Sequence, residues 1–126
     1  MTGTARNFFI LAIAYGIVGM LLGLHMAMSQ DHTQMPTHAH TMVLGWLMSA
    51  VFAFFYHLFP EIGRSPLAKV HFALTAIAGI ILLITLFLFM AGNPAIEPVL
   101  GLASIAFFLG MLLFAWVAKP ALFPRR

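Results

Sequence analysis

In "MPTHAHTMVLGW", residues 35–46, two histidines stand two positions apart at the entrance to a long apolar run. They are His38 and His40, and the chain carries 6 histidines in all. Neutral imidazole is a ligand for haem iron, copper and zinc. Positions i and i+2 of a helix point about 200° apart. One ion on one helix face therefore cannot take both rings, and the spacing serves two clefts, one on each side of the helix. Methionines interleave with the histidines in "HMAMSQDHTQMPTHAHTM", where Met26, Met28, Met35 and Met42 accompany His25, His32, His38 and His40. Thioether sulfur with imidazole is a copper-type ligand set. Methionine is also a flexible apolar filler, and the chain uses it 9 times. Spacing by itself leaves haem and copper both open.

Composition excludes much else. With 0 cysteines there is no disulfide, thiolate metal site or Cys-based redox chemistry. The 3 acidic residues, Asp31, Glu61 and Glu97, all fall in breaks between apolar stretches. That argues against hydrolytic chemistry and against a carboxylate proton relay through the helices. No basic cluster with interleaved aromatics occurs, so nucleic acid is not an expected partner.

The elements that must position these side chains follow from hydropathy. The chain is 63% hydrophobic and 7% charged, against about 45–50% and about 25% in soluble domains. Its mean hydropathy is +1.04. Four stretches reach the roughly 20 residues that cross a bilayer as a helix: Phe8–Met28, His38–Phe59, Leu67–Ala91 and Pro98–Ala118. The breaks "SQDHTQMPT", "PEIGRSP" and "GNPAIEP" are short and rich in turn residues, which makes consecutive helices antiparallel neighbours. The expected fold is an all-α integral membrane four-helix bundle, a single transmembrane domain over residues 1–126. The first apolar run exceeds a signal-peptide core and no A-x-A site follows it, so it is read as a retained helix.

Charge sets the expected orientation. Arg6, Arg64, Lys69, Lys119, Arg125 and Arg126, the 6 basic residues, all fall on one side of the four stretches. Both termini are then cytoplasmic, and the expected location is a bacterial inner membrane. His25, His32, His38 and His40 lie at the outer side, His57 and His71 near the inner surface. Intramembrane histidines mark functional sites, so His25, His38 and His40, at one depth, are the candidate ligands, with Met42 beside them. His57 and His71 are expected at helix ends, their rings at headgroup level and hydrogen-bonded to water. Gly16, Gly19 and Gly23, with a G-x-x-x-G at the last two, let helices approach closely. Trp116 reads as an interface anchor, and Trp46 as an anchor or a cofactor neighbour.

Residues 38–94 resemble subunit I of the haem-copper oxidases, in the region of its tenth and eleventh helices. That region follows H-x-H, an apolar helix closing in H-W-F-P, then A-K-I-H-F, then L-A-G-M-P. The corresponding residues are His38-Ala39-His40, His57-Leu58-Phe59-Pro60, Ala68-Lys69-Val70-His71-Phe72 and Met90-Ala91-Gly92-Asn93-Pro94. The family's H-x-H is on the outer side and its A-K-x-H-F on the inner side, the orientation that the charges also indicate. The resemblance implies one four-helix arc of the oxidase fold and haem, most simply b-type, with His38 ligating a high-spin and His40 a low-spin haem. It does not extend to the family's copper histidines or their linked tyrosine, which come from helices this chain lacks. It therefore implies no complete oxygen-reducing centre in one chain, and suggests a homo-oligomer, a trimer rebuilding the larger ring.

Two functions stand at this stage. The first is a haem-binding membrane protein in electron transfer or gas sensing, with His38, His40 and His25 as ligands and an electron-transfer or oxidase partner. The second is a copper-binding or copper-delivery protein using His25, His32, His38, His40 and Met28, Met35 and Met42. A scaffold with a decayed site, assisting assembly of another complex, is a third.

Overall fold

A backbone in hydrocarbon must satisfy its own polar groups, which leaves helices for chains this apolar. The computed structural model describes residues 1–124, and no strand occurs among them. Arg125 and Arg126, two of the residues behind the expected orientation, lie outside the described residues. Four helices are long and apolar enough to cross a membrane: α1 (Gly3–Ser29), α2 (Met35–Leu58), α3 (Pro66–Met90) and α4 (Glu97–Leu122). Their 24 to 27 residues give lengths of about 36–40 Å. α1 begins ahead of its apolar run and α4 continues beyond Ala118, since polar residues continue a helix once it leaves hydrocarbon.

Local chemistry ends and starts these helices. Gln30 closes α1 in the left-handed conformation, at φ 58°. Ser65 caps α3 by accepting from the Ala68 N–H at 3.1 Å, with Pro66 opening the helix. Helical turns at Pro60–Gly63 and Pro94–Ile96 fill the second and third breaks. α2 is not uniform: Met35–His40 and Met48–Leu58 are α-helical, and Thr41–Leu47 between them is π-helical. Wide turns of this kind are frequent next to functional sites, and this one begins immediately after the His38/His40 pair.

The alternation of four spans puts His25, His32, His38 and His40 at one end (the histidine end). The N-terminus, the Pro60–Gly63 turn, His57, His71 and the end of α4 lie at the other (the terminal end). Arg6, Arg64, Lys69 and Lys119 all fall at the terminal end, where the Lys119 ammonium lies 5.2 Å from the exposed Trp116 ring. α1 pairs with α2 and α3 with α4, and α3 also meets α1 and the first half of α2. Two buried clusters fill the interior. Phe8, Phe52, Tyr56 and Val117 pack near the terminal end, and Leu82, Leu83, Ala103 and Phe107 nearer the histidine end.

Glycines decide how closely α1 and α2 approach. Along α1, Gly16, Gly19 and Gly23 receive Trp46, Met42 and His38 of the antiparallel α2. A Cβ on Gly19 would stand 2.5 Å from Met42 Sδ, and one on Gly16 3.2 Å from the Trp46 ring. Trp46 is thus part of the α1–α2 seam. In return Gly45 of α2 takes Tyr15, and a Cβ there would lie 2.6 Å from Tyr15 Cγ and 2.8 Å from its Cβ. Those atoms are close to the backbone and cannot swing away. Gly45→Ala is therefore expected to cost about 1–3 kcal/mol by overpacking. Gly101→Ala, which would meet nothing within 4 Å, should be neutral or stabilising through better helix propensity. Thermal unfolding in detergent compares the two; equal melting temperatures would remove the glycine seam as the determinant of this contact.

Candidate functional site

The paired histidines occupy different surroundings. His38 is half-buried in the α1–α2 seam, where its Nδ1–H donates to the Gly19 carbonyl at 2.7 Å. Gly23, one turn beyond Gly19, has no side chain to cover that carbonyl, and a Cβ there would stand 2.8 Å from His38 Cε1. The G-x-x-x-G spacing in this structure builds a seat for an imidazole. His40 is exposed on the other side of α2. Its Nδ1–H donates to the Pro36 carbonyl at 2.8 Å, and the ring lines a groove of about 460 Å³ between α2 and α4. A carbonyl only accepts, so both rings carry a proton on Nδ1, which in the neutral tautomer leaves the Nε2 lone pair available. A ring nitrogen held on a carbonyl while the other stays free is the usual arrangement of a metal-ligating histidine.

The His40 groove is apolar. Leu44 and Met48 wall it from α2, Leu82 and Leu86 from α3, and Phe107 and Met111 from α4. Ser104 adds a hydroxyl that donates back to the Leu100 carbonyl at 2.8 Å. Volume and lining fall in the range of cofactor pockets, about 300–1,000 Å³ and mainly hydrophobic with few polar groups. A second groove of about 460 Å³ lies on the opposite edge, between α1 and α3, with Thr37 and Thr41 of α2 at its back.

The remaining outer candidates share an end of the molecule and no common point. His25 is exposed on α1, and His32 lies in the loop with Nδ1–H donating to the Gln30 carbonyl at 3.1 Å. Met28 and Met35 are exposed, Met26 is buried, and Met42 faces Gly19. Among the described residues no three histidine or carboxylate side chains come together to hold a metal ion. Asp31 organises this loop by accepting from the Thr33 hydroxyl at 2.5 Å and the Thr33 N–H at 3.0 Å. Those two bonds hold its carboxyl below the usual range, with smaller contributions from His25 and His32.

At the terminal end the histidines part company. His57 is exposed, beside a small polar pocket with Thr4 and Arg64. His71 departs from the headgroup-level setting expected of it: it is 0% exposed. Its Nδ1 and the Tyr56 hydroxyl share a hydrogen bond of 2.8 Å. Phe52, Phe8 and Phe114 surround the ring at centroid distances of 4.7, 5.1 and 5.3 Å. Among the described residues Nε2 has no hydrogen-bond partner, and neither do the buried hydroxyls of Thr75 and Tyr15. The reason is tertiary, because α1, α2 and α4 each bring an aromatic ring over the start of α3. A signal was present in the spacing. Ala68, His71, Thr75 and Gly79 form one stripe of mostly small residues on α3, and His71 belongs to that packed face.

Fold and site together define an all-helical membrane protein with histidines gathered at one end and a histidine-lined apolar groove. No family model, curated protein or solved structure matches the chain. The resemblance to oxidase subunit I therefore rests on the residues quoted above.

Proposed function

We propose that this chain is a haem-binding membrane protein, similar in its ligand helix to cytochrome oxidase subunit I, that serves electron transfer or gas sensing. The observation that carries this reading is His40, whose Nδ1–H is held by the Pro36 carbonyl and whose Nε2 is free beside an apolar groove of about 460 Å³. One imidazole nitrogen in an apolar pocket fits an axial position of haem iron. Haem there would supply one-electron chemistry, with a second axial imidazole favouring electron transfer and an open side favouring gas binding. His40 would hold the group through Nε2, with its Nδ1–H fixed on the Pro36 carbonyl, and Leu82, Leu86 and Phe107 would keep water away. His38, seated on Gly19 and Gly23, holds α1 against the ligand helix. Copper delivery receives less support, because the outer histidines and methionines do not converge. In this reading the one-sided basic residues put both termini in the cytoplasm of a bacterial cell, and the partner is an oxidase or other redox protein.

The test is an optical spectrum of the purified protein with haem and metal analysis. A Soret band with redox-responsive α and β bands, of b-type by pyridine haemochrome, is the expected result. Stoichiometric copper without a haem spectrum would replace this reading with the second one.

A further inference from the structure

The three buried polar atoms without a hydrogen-bond partner among the described residues, His71 Nε2, Thr75 Oγ1 and the Tyr15 hydroxyl, follow one another along α3. Thr75 is one turn beyond His71. One turn further is Gly79, where the Tyr15 hydroxyl rests, since a Cβ there would stand 3.1 Å from it. Thr75 departs from the way Thr41, Thr85 and Ser104 are settled. Those three donate back to the carbonyl one turn earlier in their own helix, at 2.7, 2.7 and 2.8 Å. The Thr75 hydroxyl instead lies against Gly110 of α4, where a Cβ would be 2.7 Å away. Both ends of the row reach polar groups. Tyr56, which shares the 2.8 Å bond with His71 Nδ1, lines the terminal-end pocket of about 80 Å³ together with Thr4, His57 and Arg64, a space with room for water. Tyr15 lines the α1–α3 groove with Thr37 and Thr41, and the Thr37 hydroxyl donates to Gln34 Oε1 at 2.6 Å, at the start of α2.

From this row we infer a proton path through the bundle, entering at the terminal-end pocket and running by Tyr56, His71, Thr75 and Tyr15 to the α1–α3 groove. It stands apart from the haem reading and needs no carboxylate. Polar side chains inside a membrane bundle are expensive and mark ion and proton pathways. Side chains one helical turn apart have Cβ atoms about 5–6 Å from each other, and one water spans such a gap with two ordinary hydrogen bonds. Ordered water is also the usual partner of a buried polar group that the protein leaves unpaired. Transfer at His71 keeps the ring neutral. The Tyr56 O–H passes its proton to Nδ1 while Nε2–H gives its own to the water on the Thr75 side, and Tyr56 takes a replacement from the pocket. No imidazolium forms, which matters where burial penalises charge. The ring then turns over to restore the first tautomer, a slow step inside the enclosure of Phe8, Phe52 and Phe114. All three unpartnered atoms are shut off from bulk water, so water enters as side chains move. Thr75 provides for this: turned onto the His71 carbonyl, as Thr41 is onto that of Thr37, its hydroxyl leaves the space against Gly110 to water.

The experiment puts the full chain, as purified, into lipid vesicles with a pH-sensitive dye inside and a potassium gradient with valinomycin to set the voltage. Proton entry faster than in protein-free vesicles is the expected result. Thr75→Val keeps the side-chain volume and removes an unpartnered hydroxyl, so it should melt at or above the wild-type temperature while proton entry falls to the protein-free level. Tyr15→Phe should do the same. Thr85→Val, which removes a hydroxyl that lies off the row and is bonded to its own helix, should conduct as wild type does. Proton entry no faster than in protein-free vesicles, or entry that persists in both Thr75→Val and Tyr15→Phe, overturns the path. Neither outcome depends on whether haem is bound, so the two readings fail separately.

Discussion

His71→Ala is expected to be among the most destabilising single substitutions in this chain, at about 3–5 kcal/mol. The ring is 0% exposed and enclosed by Phe8, Phe52 and Phe114. Its removal leaves a cavity in a region where four helices meet, and the Tyr56 hydroxyl loses its 2.8 Å bond. Because lipid provides no water to replace that bond, the cost of the orphaned hydroxyl adds to the cost of the cavity. His71→Phe separates the two contributions. It keeps the ring volume and removes the unpartnered Nε2, but still strands Tyr56, so about 1–3 kcal/mol is expected. The double variant with Tyr56→Phe removes both ends of the bond and should recover most of that loss. Unfolding of the four proteins in mixed detergent, treated as a double-mutant cycle, gives the coupling directly. Additive effects would mean that the hydrogen bond contributes nothing beyond packing.

His40→Ala is expected to lower bound haem at least tenfold, roughly the affinity lost with a 1.4 kcal/mol ligand contribution, while leaving the helices folded. The ring is exposed and, among the described residues, its hydrogen bond is local, to Pro36 within its own turn of helix, so little packing depends on it. His38→Ala should behave in the opposite way. It breaks the 2.7 Å bond to Gly19 and empties the seat at Gly23, which costs about 1–2 kcal/mol of stability, and it retains the haem spectrum. Haem content per protein and the melting temperature, measured on both variants, distinguish the roles. Equal haem loss in the two would favour the two-haem assignment that the oxidase resemblance implies for the pair.

The spans were legible in the sequence because hydropathy is a property of each residue, and about 20 apolar ones in a row suffice to cross a bilayer. The separation of His38 from His40 was legible for a similar reason, since the period of a helix is independent of what it packs against. In the structure His38 meets α1 and His40 faces α3 and α4. Even the α1–α2 seam left a trace in the matched spacings of Gly16, Gly19 and Gly23 against His38, Met42 and Trp46.

Tertiary structure alone decided which polar groups those faces would meet. The Gly19 carbonyl as the anchor of His38, and Phe8 and Phe114 over His71, join residues far apart in the chain. A position at a helix end indicated depth in the membrane for His71, and depth was not the same as exposure. Burial depends on the lateral arrangement of helices, which hydropathy does not encode because the lipid-facing and protein-facing sides of these helices are equally apolar. For the same reason the shared depth of His25, His38 and His40 could be read from the chain, while the lateral separation of His25 from the other two could not.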